Sequence, residues 1–230
     1  MASLNERDTL VRDLVRRLLD AVREAGDEAL APIVQAGHPV LRAVATPYDG
    51  QVDDAELAEL LAVMHRTMVA APGVGLAAPQ LGLPLAVAVV GDPGGLDEET
   101  ARVRERTPVG HRVLVNPSYA AQGDEPVAFY EGCLSVVGYQ AVVARPRVVH
   151  LTGLDETGRA LDEEVVGWPA RIVQHETDHL RGALYLDRAE LRSLSATDAW
   201  GAHWGTEPVP QAAARTLGFD LPGGAARTAR

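Results

Sequence analysis

With 230 residues, 47% of them hydrophobic, the chain can bury one substantial core, and a second full domain would be a squeeze. Its formal net charge of −11 argues against nucleic acid or anionic membrane as a general partner, because their phosphates would be repelled. Cys133 is the only cysteine, which excludes an intrachain disulfide and makes a reducing compartment the natural reading.

The stretch from Met1 to Asp8 has no apolar signal core, and no run approaches the roughly 20 apolar residues of a membrane span, so a cytoplasmic protein is expected. Between residues 4 and 25, Leu10, Val11, Leu14, Val15, Leu18, Leu19 and Val22 recur at helical spacing against a charged opposite face. This predicts an amphipathic helix that packs on the main domain. Gly26 and Asp27 end it, and Pro32, Gly37 and Pro39 punctuate an irregular segment. Asp53, three residues before Glu56, then reads as a capping box, with Leu57, Leu60, Leu61, Met64 and Met68 following at core-facing intervals. His65, alone in this helix, reads as a surface or packed residue rather than a ligand.

The helix runs into Gly73-Val74-Gly75-Leu76-Ala77-Ala78-Pro79-Gln80, whose small residues allow a close backbone approach and whose Gln80 amide both donates and accepts. No Lys-Ser/Thr pair follows the glycines, so a phosphate loop is disfavoured. Leu85 to Val90 is a short apolar strand, and the acidic, glycine-rich residues 91 to 110 read as a surface loop. Arg112 to Pro117, Pro126 to Tyr130, Ala141 to Ala144 and Val148 to Leu154 continue the strand pattern, and Asp155 to Gly158 turns the chain into a hairpin strand from Ala160 to Val166. The fold expected is α+β, with short, mostly antiparallel strands around a central helix and an N-terminal helical extension. After Asp187 the signal fades. Trp200 and Trp204 suggest partial packing, and Pro222 to Arg230 reads as disordered.

That central helix carries Gln174-His175-Glu176-Thr177-Asp178-His179, an H-E-x-x-H sequence at the end of an apolar run from Val165 to Val173. Four helical residues turn about 400°, so His175 and His179 project from one face and can grip one metal ion, with Glu176 beside it and free to move protons. Two histidines leave the site open. Cys133 is the natural third ligand and would give a Cys-His-His site with a fourth position for water. A downstream His or Glu is the metallopeptidase alternative, for which His203 is the candidate.

Three segments together resemble the peptide deformylase family: Gly-x-Gly-Leu-Ala-Ala-Pro-Gln at 73 to 80, Glu-Gly-Cys-Leu-Ser at 131 to 135, and Gln-His-Glu-x-Asp-His-Leu at 174 to 180, the likeness running from about Ile33 through Asp187. The resemblance implies that Cys133, His175 and His179 hold one divalent ion, Fe2+ typically, with Zn2+, Ni2+ or Co2+ able to replace it. It implies that Glu176 takes a proton from a metal-bound water attacking the formyl carbon of an N-formylmethionyl peptide, and passes it to the departing amine. The Gln80 amide and the Leu134 backbone N–H would hold the oxyanion. Gly75 would hydrogen-bond an extended peptide, Val74, Trp168 and Ile172 would line a methionine pocket, and Arg145 would help position the peptide backbone. Glu131 and Asp178 would orient ligands or pin their loop. The implied partners are nascent chains and, through them, the ribosome.

Two positions depart from the family pattern. Val137 stands where a proline is usual, freeing φ and restoring an N–H, and Gln140 stands where many members carry arginine. A looser or shifted strand beside the substrate is the consequence expected. The competing non-enzyme reading is a catalytically weak or inactive deformylase-like paralogue that binds formyl-peptides or another partner. The organisation expected is an N-terminal helix at 1–30, a catalytic domain at 31–192 and a tail at 193–230.

Overall fold

The computed structural model describes residues 6–26, 28–95 and 97–222. The expected disorder of the last residues thus falls, for 223–230, outside the described part of the chain. The first helix, α1 (Glu6–Ala25), buries Val11, Val15, Leu19 and Val22 along one stripe. It lies against α2 (Asp54–Ala70), which starts at the expected capping box: Asp53 accepts from the Glu56 N–H at 2.8 Å and Glu56 returns the bond to the Asp53 N–H at 3.1 Å. The pairs Arg16–Glu56 and Arg23–Glu59 also join the two helices, but they are exposed and screened, so the apolar seam holds them together.

Six strands form one antiparallel sheet: β1 (Gly75–Ala77), β2 (Val87–Asp92), β3 (Val109–Cys133), β4 (Val136–Leu154), β5 (Ala160–Val166) and β6 (Ala189–Ala196). The order is β1-β2-β3-β4-β5, and β6 pairs with the first part of β4 on the edge whose later part carries β5. Period-two alternation divides the side chains between two layers. Val87, Val89, Val113 and Val115 join the core under α1 and α2, while Ala88, Val90 and Leu114 join a second core under α4 (Gly167–Leu180). Both faces of β2 are therefore buried, which is why its sequence is apolar without interruption.

The structure corrects two expectations and gives the form of the partial packing expected of the tail. The four strands read between Arg112 and Leu154 are two long ones, β3 and β4, whose register shifts fall at Val115/Ser118, Gln122/Pro126 and Gly132/Cys133. Pro117 and Pro126 sit at these irregularities, where a missing N–H costs least, so they bend the strand without ending it. Residues 91 to 110 are also no plain surface loop, since they contain α3 (Glu98–Val103) and fold back onto the protein. The tail adds α5 (Thr197–His203) and α6 (Gln211–Leu217), which cover Ala128, Tyr130 and Val142 with Ala213, Ala214 and Phe219.

If α1 is part of the core, Leu19→Ala should lower stability by about 2–5 kcal/mol. This would appear as a reduced urea midpoint at unchanged m-value. Leu10→Ala, on the exposed side of the same helix, should shift stability by less than about 0.5 kcal/mol.

Candidate active site

The alternation of β3 sends Phe129, Glu131 and Cys133 toward α4, and Arg145 comes from the neighbouring β4, where it pairs in register with Val127. On α4, His175 and His179 are one turn apart, with ring centroids 5.0 Å from each other. Cys133 Sγ lies 3.3 Å from His179 Nε2, and one ligand atom from each of Cys133, His175 and His179 falls within 4.8 Å of the others. Among the described residues, no other group of three or more His, Cys, Asp or Glu side chains converges in this way. His65 is elsewhere, beside His111 at 4.0 Å between ring centroids.

Glu131 is the centre of a buried charge network. Its carboxylate accepts from Arg145 Nε at 2.6 Å and Nη2 at 3.0 Å, from Arg171 Nη1 at 2.5 Å, and from His175 Nδ1 at 3.1 Å. Burial alone would raise its pKa, yet the charges of Arg145 and Arg171 outweigh this and hold it well below the ordinary carboxylate value. An ionised carboxylate can only accept, so His175 Nδ1 carries a hydrogen; although burial opposes it, the contacts with Cys133 and Glu131 raise the His175 pKa well above the ordinary value, and a bound metal would take the place of the proton on Nε2. Burial, followed by the neighbouring positive charges of His175, Arg145 and Arg42, lowers the His179 pKa well below the ordinary value and keeps that imidazole neutral.

Arg145 is placed differently from the expectation. It is 1% exposed and each of its three nitrogens donates to Glu131 or, at 2.8 Å, to Asp178, which holds it away from a peptide backbone. It braces the ligand helix instead. Asp178 is further held by the Tyr119 hydroxyl at 2.8 Å and by Arg188 at 3.1 Å. Arg171 was not singled out by the sequence. Lying four residues before His175 it shares that face of α4, and it also donates to the carbonyls of Val143 and Val127. A charge inside the apolar run Val165–Val173 was the one available signal. Tyr185, whose ring stacks 6.2 Å from that of His175, gave none.

Gln80 sits in the 3-10 turn Ala78–Leu81 directly after β1. The Ala77 N–H donates to its Oε1 at 2.8 Å, which turns its NH2 toward Ser135 Oγ at 3.3 Å and Cys133 Sγ at 3.6 Å. Leu134 follows Cys133 in the turn between β3 and β4, with its carbonyl accepting from Gln35 Nε2 at 3.0 Å. Gln35 Oε1 also accepts from the Val137 N–H at 3.3 Å. The donor restored by losing the proline is thus satisfied, and the β3–β4 pairing reaches Cys133 and Val136 through the register shift at Gly132/Cys133. Val137 itself is exposed, and Gln140 lies between β3 and β6, opposite Gly132 and Ser195.

Glu176 is 4% exposed, and its Oε2 has no hydrogen-bond partner. Burial pushes its pKa up to about 7, within the range of a working general base. A cation at the triad would draw that value down. Its carboxylate lies against Gly75, where any Cβ would run into Oε1. Val74 and Trp168 pack with buried Ile172 in the core beneath α4.

The donor set fits a divalent transition ion. A thiol sulfur and two imidazole nitrogens converge within 4.8 Å of one another, and a buried carboxylate oxygen beside them is unsatisfied.

A family model described as polypeptide deformylase matches residues 30–194. Peptide deformylase 3 of Streptomyces avermitilis is 58% identical over 226 residues, covering 96% of this chain and 100% of that protein. The mitochondrial peptide deformylase of Homo sapiens is 37% identical over 83% of this chain and 80% of its own length. Among solved structures, the Met-Ala-Ser-bound class I type b peptide deformylase from Acinetobacter baumannii superposes with a TM-score of 0.62 at 33% identity, covering 69% of this chain and 99% of that one. The matched stretch contains the whole Cys133, His175 and His179 triad, and the likeness to the Streptomyces protein spans nearly every residue, so this chain belongs to the polypeptide deformylase family.

Proposed function

We propose that this protein is a hydrolase that removes the formyl group from N-formylmethionine at the start of newly made chains, releasing formate and a free amino terminus. The observation that carries the reading is the meeting of a convergent Cys-His-His triad with a buried, unsatisfied carboxylate in a chain of this family. Cys133, His175 and His179 are the residues to hold the metal, which we take to be Fe2+ on the family resemblance. The same donors suit Zn2+, Ni2+ and Co2+. When bound, such an ion supplies a Lewis acid and makes water a stronger nucleophile at neutral pH.

The residues of the chain handle the proton and the developing charge. Glu176 takes a proton as water oxygen bonds to the formyl carbon, and returns it to the nitrogen as the carbon–nitrogen bond breaks. The NH2 of Gln80 and the backbone N–H of Leu134 face the oxyanion, and the bond from Ala77 keeps the Gln80 donor aimed before substrate arrives. Gly75 lies in β1, the terminal strand of the sheet order, so a peptide can add along that edge. Val74, Trp168 and Ile172 form the apolar wall for the methionine side chain, in line with the methionine-led peptide bound by the Acinetobacter protein. The catalytic unit we infer is residues 31–192, flanked by the segment 1–30 that carries α1 and by the tail at 193–230. No described helix is long and apolar enough to cross a membrane. A cytoplasmic enzyme meeting its substrates as they leave the ribosome is the setting we infer.

Formate release from a formyl-Met peptide, measured without oxygen on iron-, nickel- and zinc-loaded protein, tests this directly. The wild type should release formate in at least one of these forms. Glu176→Gln should lose about 100- to 10,000-fold in rate while binding one equivalent of metal as before. No formate from any folded, metal-replete form would reject the hydrolase and favour the non-turnover paralogue. Peptide fragments in place of formate would favour a peptidase.

Gly75→Ala offers an independent check. The added methyl would displace the Glu176 carboxylate, and such a misplacement should lower kcat by about 100-fold with circular dichroism and metal content preserved. Normal turnover in that variant would show that Glu176 need not sit where it does.

A further inference from the structure

Residues 91 to 110 dock onto the start of α4 through contacts that a surface loop would not need. Arg106 forks onto the buried carboxylate of Asp92, at 2.7 and 2.8 Å. Glu105 has φ 49°, a left-handed conformation costly for a residue with a side chain. Its carbonyl accepts from the Trp168 N–H at 3.3 Å and its carboxylate pairs with Arg147. Opposite it, Gly167 has φ 69°, and a Cβ there would strike Glu105.

The arginine before this residue is the unusual one. Arg104 donates from Nε to the Pro208 carbonyl at 3.0 Å and from Nη2 to the Glu207 carbonyl at 3.1 Å. Among the described residues it forms no ion pair. Its guanidinium lies 5.4 Å from the Trp168 ring centre and 5.6 Å from that of Phe129. Arg171 lies 5.7 and 5.1 Å from the same two rings, and Arg106 lies 5.5 Å from Trp168. Three like charges about one indole repel one another, so the arrangement needs fixed anchors. Arg106 has Asp92 and Arg171 has Glu131, whereas among the described residues the Arg104 side chain is hydrogen-bonded to the two carbonyls of the C-terminal segment.

We propose that Arg104 is a positioning residue that fixes the Trp168 indole as a wall of the methionine pocket. The carbonyls of Glu207 and Pro208 hold Arg104 in turn, so the C-terminal segment after residue 196, beyond the stretch matched by the family model, helps decide which side chain the pocket admits. The planar fork of arginine suits this task, because it can bond two carbonyls in its plane while its face lies on an aromatic ring. The pocket part rests on the deformylase reading, in which Trp168 lines that pocket.

The test uses full-length, metal-loaded protein carrying Arg104→Ala or Arg104→Lys, with kcat and KM measured for formyl-Met, formyl-Nle and formyl-Phe tripeptides. Each variant is also made with Trp168→Phe, so that subtraction isolates the Trp168 emission from that of the other two tryptophans. Arg104→Ala should raise KM for formyl-Met by about 10-fold with kcat little changed, narrow the preference over formyl-Phe, and make Trp168 emission redder and more open to acrylamide quenching. Arg104→Lys, which keeps a cation but loses the paired donors, should fall between it and the wild type, and it carries the same test should the alanine variant not fold. Unchanged KM and unchanged Trp168 emission would overturn the proposal, as would a fall in kcat at constant KM and constant preference. Absence of formate from the wild type would instead remove the deformylase reading, leaving the emission arm to report whether Arg104 holds the indole.

Discussion

The structure depends on one buried carboxylate. Glu131 receives two arginines and a histidine in the space between β3, β4 and α4. Taking these ions out of water costs several kcal/mol each, and the cost is offset only if each charge is paired and each donor used. With Asp178 joined to Arg145, the buried part of the network pairs two carboxylates with two guanidiniums, and the exposed Arg188 also reaches Asp178. Removing one member would strand its partner, a loss of about 3–5 kcal/mol in comparable cases. An apolar replacement of the whole set would be no worse for stability, so its retention is better explained by what it orients. It fixes the hydrogen on His175 Nδ1 and so leaves Nε2 for the ion.

Charge balance also explains the inner site. With a metal bound, Cys133 as a thiolate ligand and Glu176 as a carboxylate would contribute two negative charges and the ligating histidines none, so the set would be complementary to a divalent cation. The rise of the Glu176 pKa through burial shows the cost of holding the carboxylate in this place without a cation. The chain accepts that cost through a specific steric choice: Gly75 lacks the Cβ that would close the space. Glycine there is a matter of volume as much as of backbone freedom.

Much of this was legible in the sequence, and what was missed has a common cause. The helices α1, α2 and α4 were readable because their buried stripes repeat at helical spacing, and the capping box of Asp53 and Glu56 is local. The three ligands and Gln80 were readable from short segments in a fixed order. Pro117 and Pro126 misled because whether a proline ends a strand or only bulges it is decided by the partner strand. Arg145 was misassigned and Arg171 overlooked for the same reason, since nothing local tells a buried arginine from a solvated one. The segment 91 to 110 looked like an exposed acidic loop because its compensating partners, Arg147 for Glu105 and the carbonyls of Glu207 and Pro208 for Arg104, are far away in the chain.

The same arginine that completes the Glu131 network also touches the rings proposed for the pocket, and this couples two parts of the site that the sequence presents as separate. Arg171 holds Glu131 with one end of its guanidinium while its face lies near Phe129 and Trp168. A planar cation fixed by hydrogen bonds to Glu131 and to the carbonyls of Val143 and Val127 cannot tilt without losing one of them. The two rings therefore rest on a group whose orientation is set by the carboxylate that also sets His175. A side chain that pushed Trp168 outward would strain the support of a metal ligand, whereas one that fits the existing wall would leave it undisturbed. Selectivity in such a site need not come from contacts to the side chain alone. It can also come from the cost of deforming the network on which the chemistry stands.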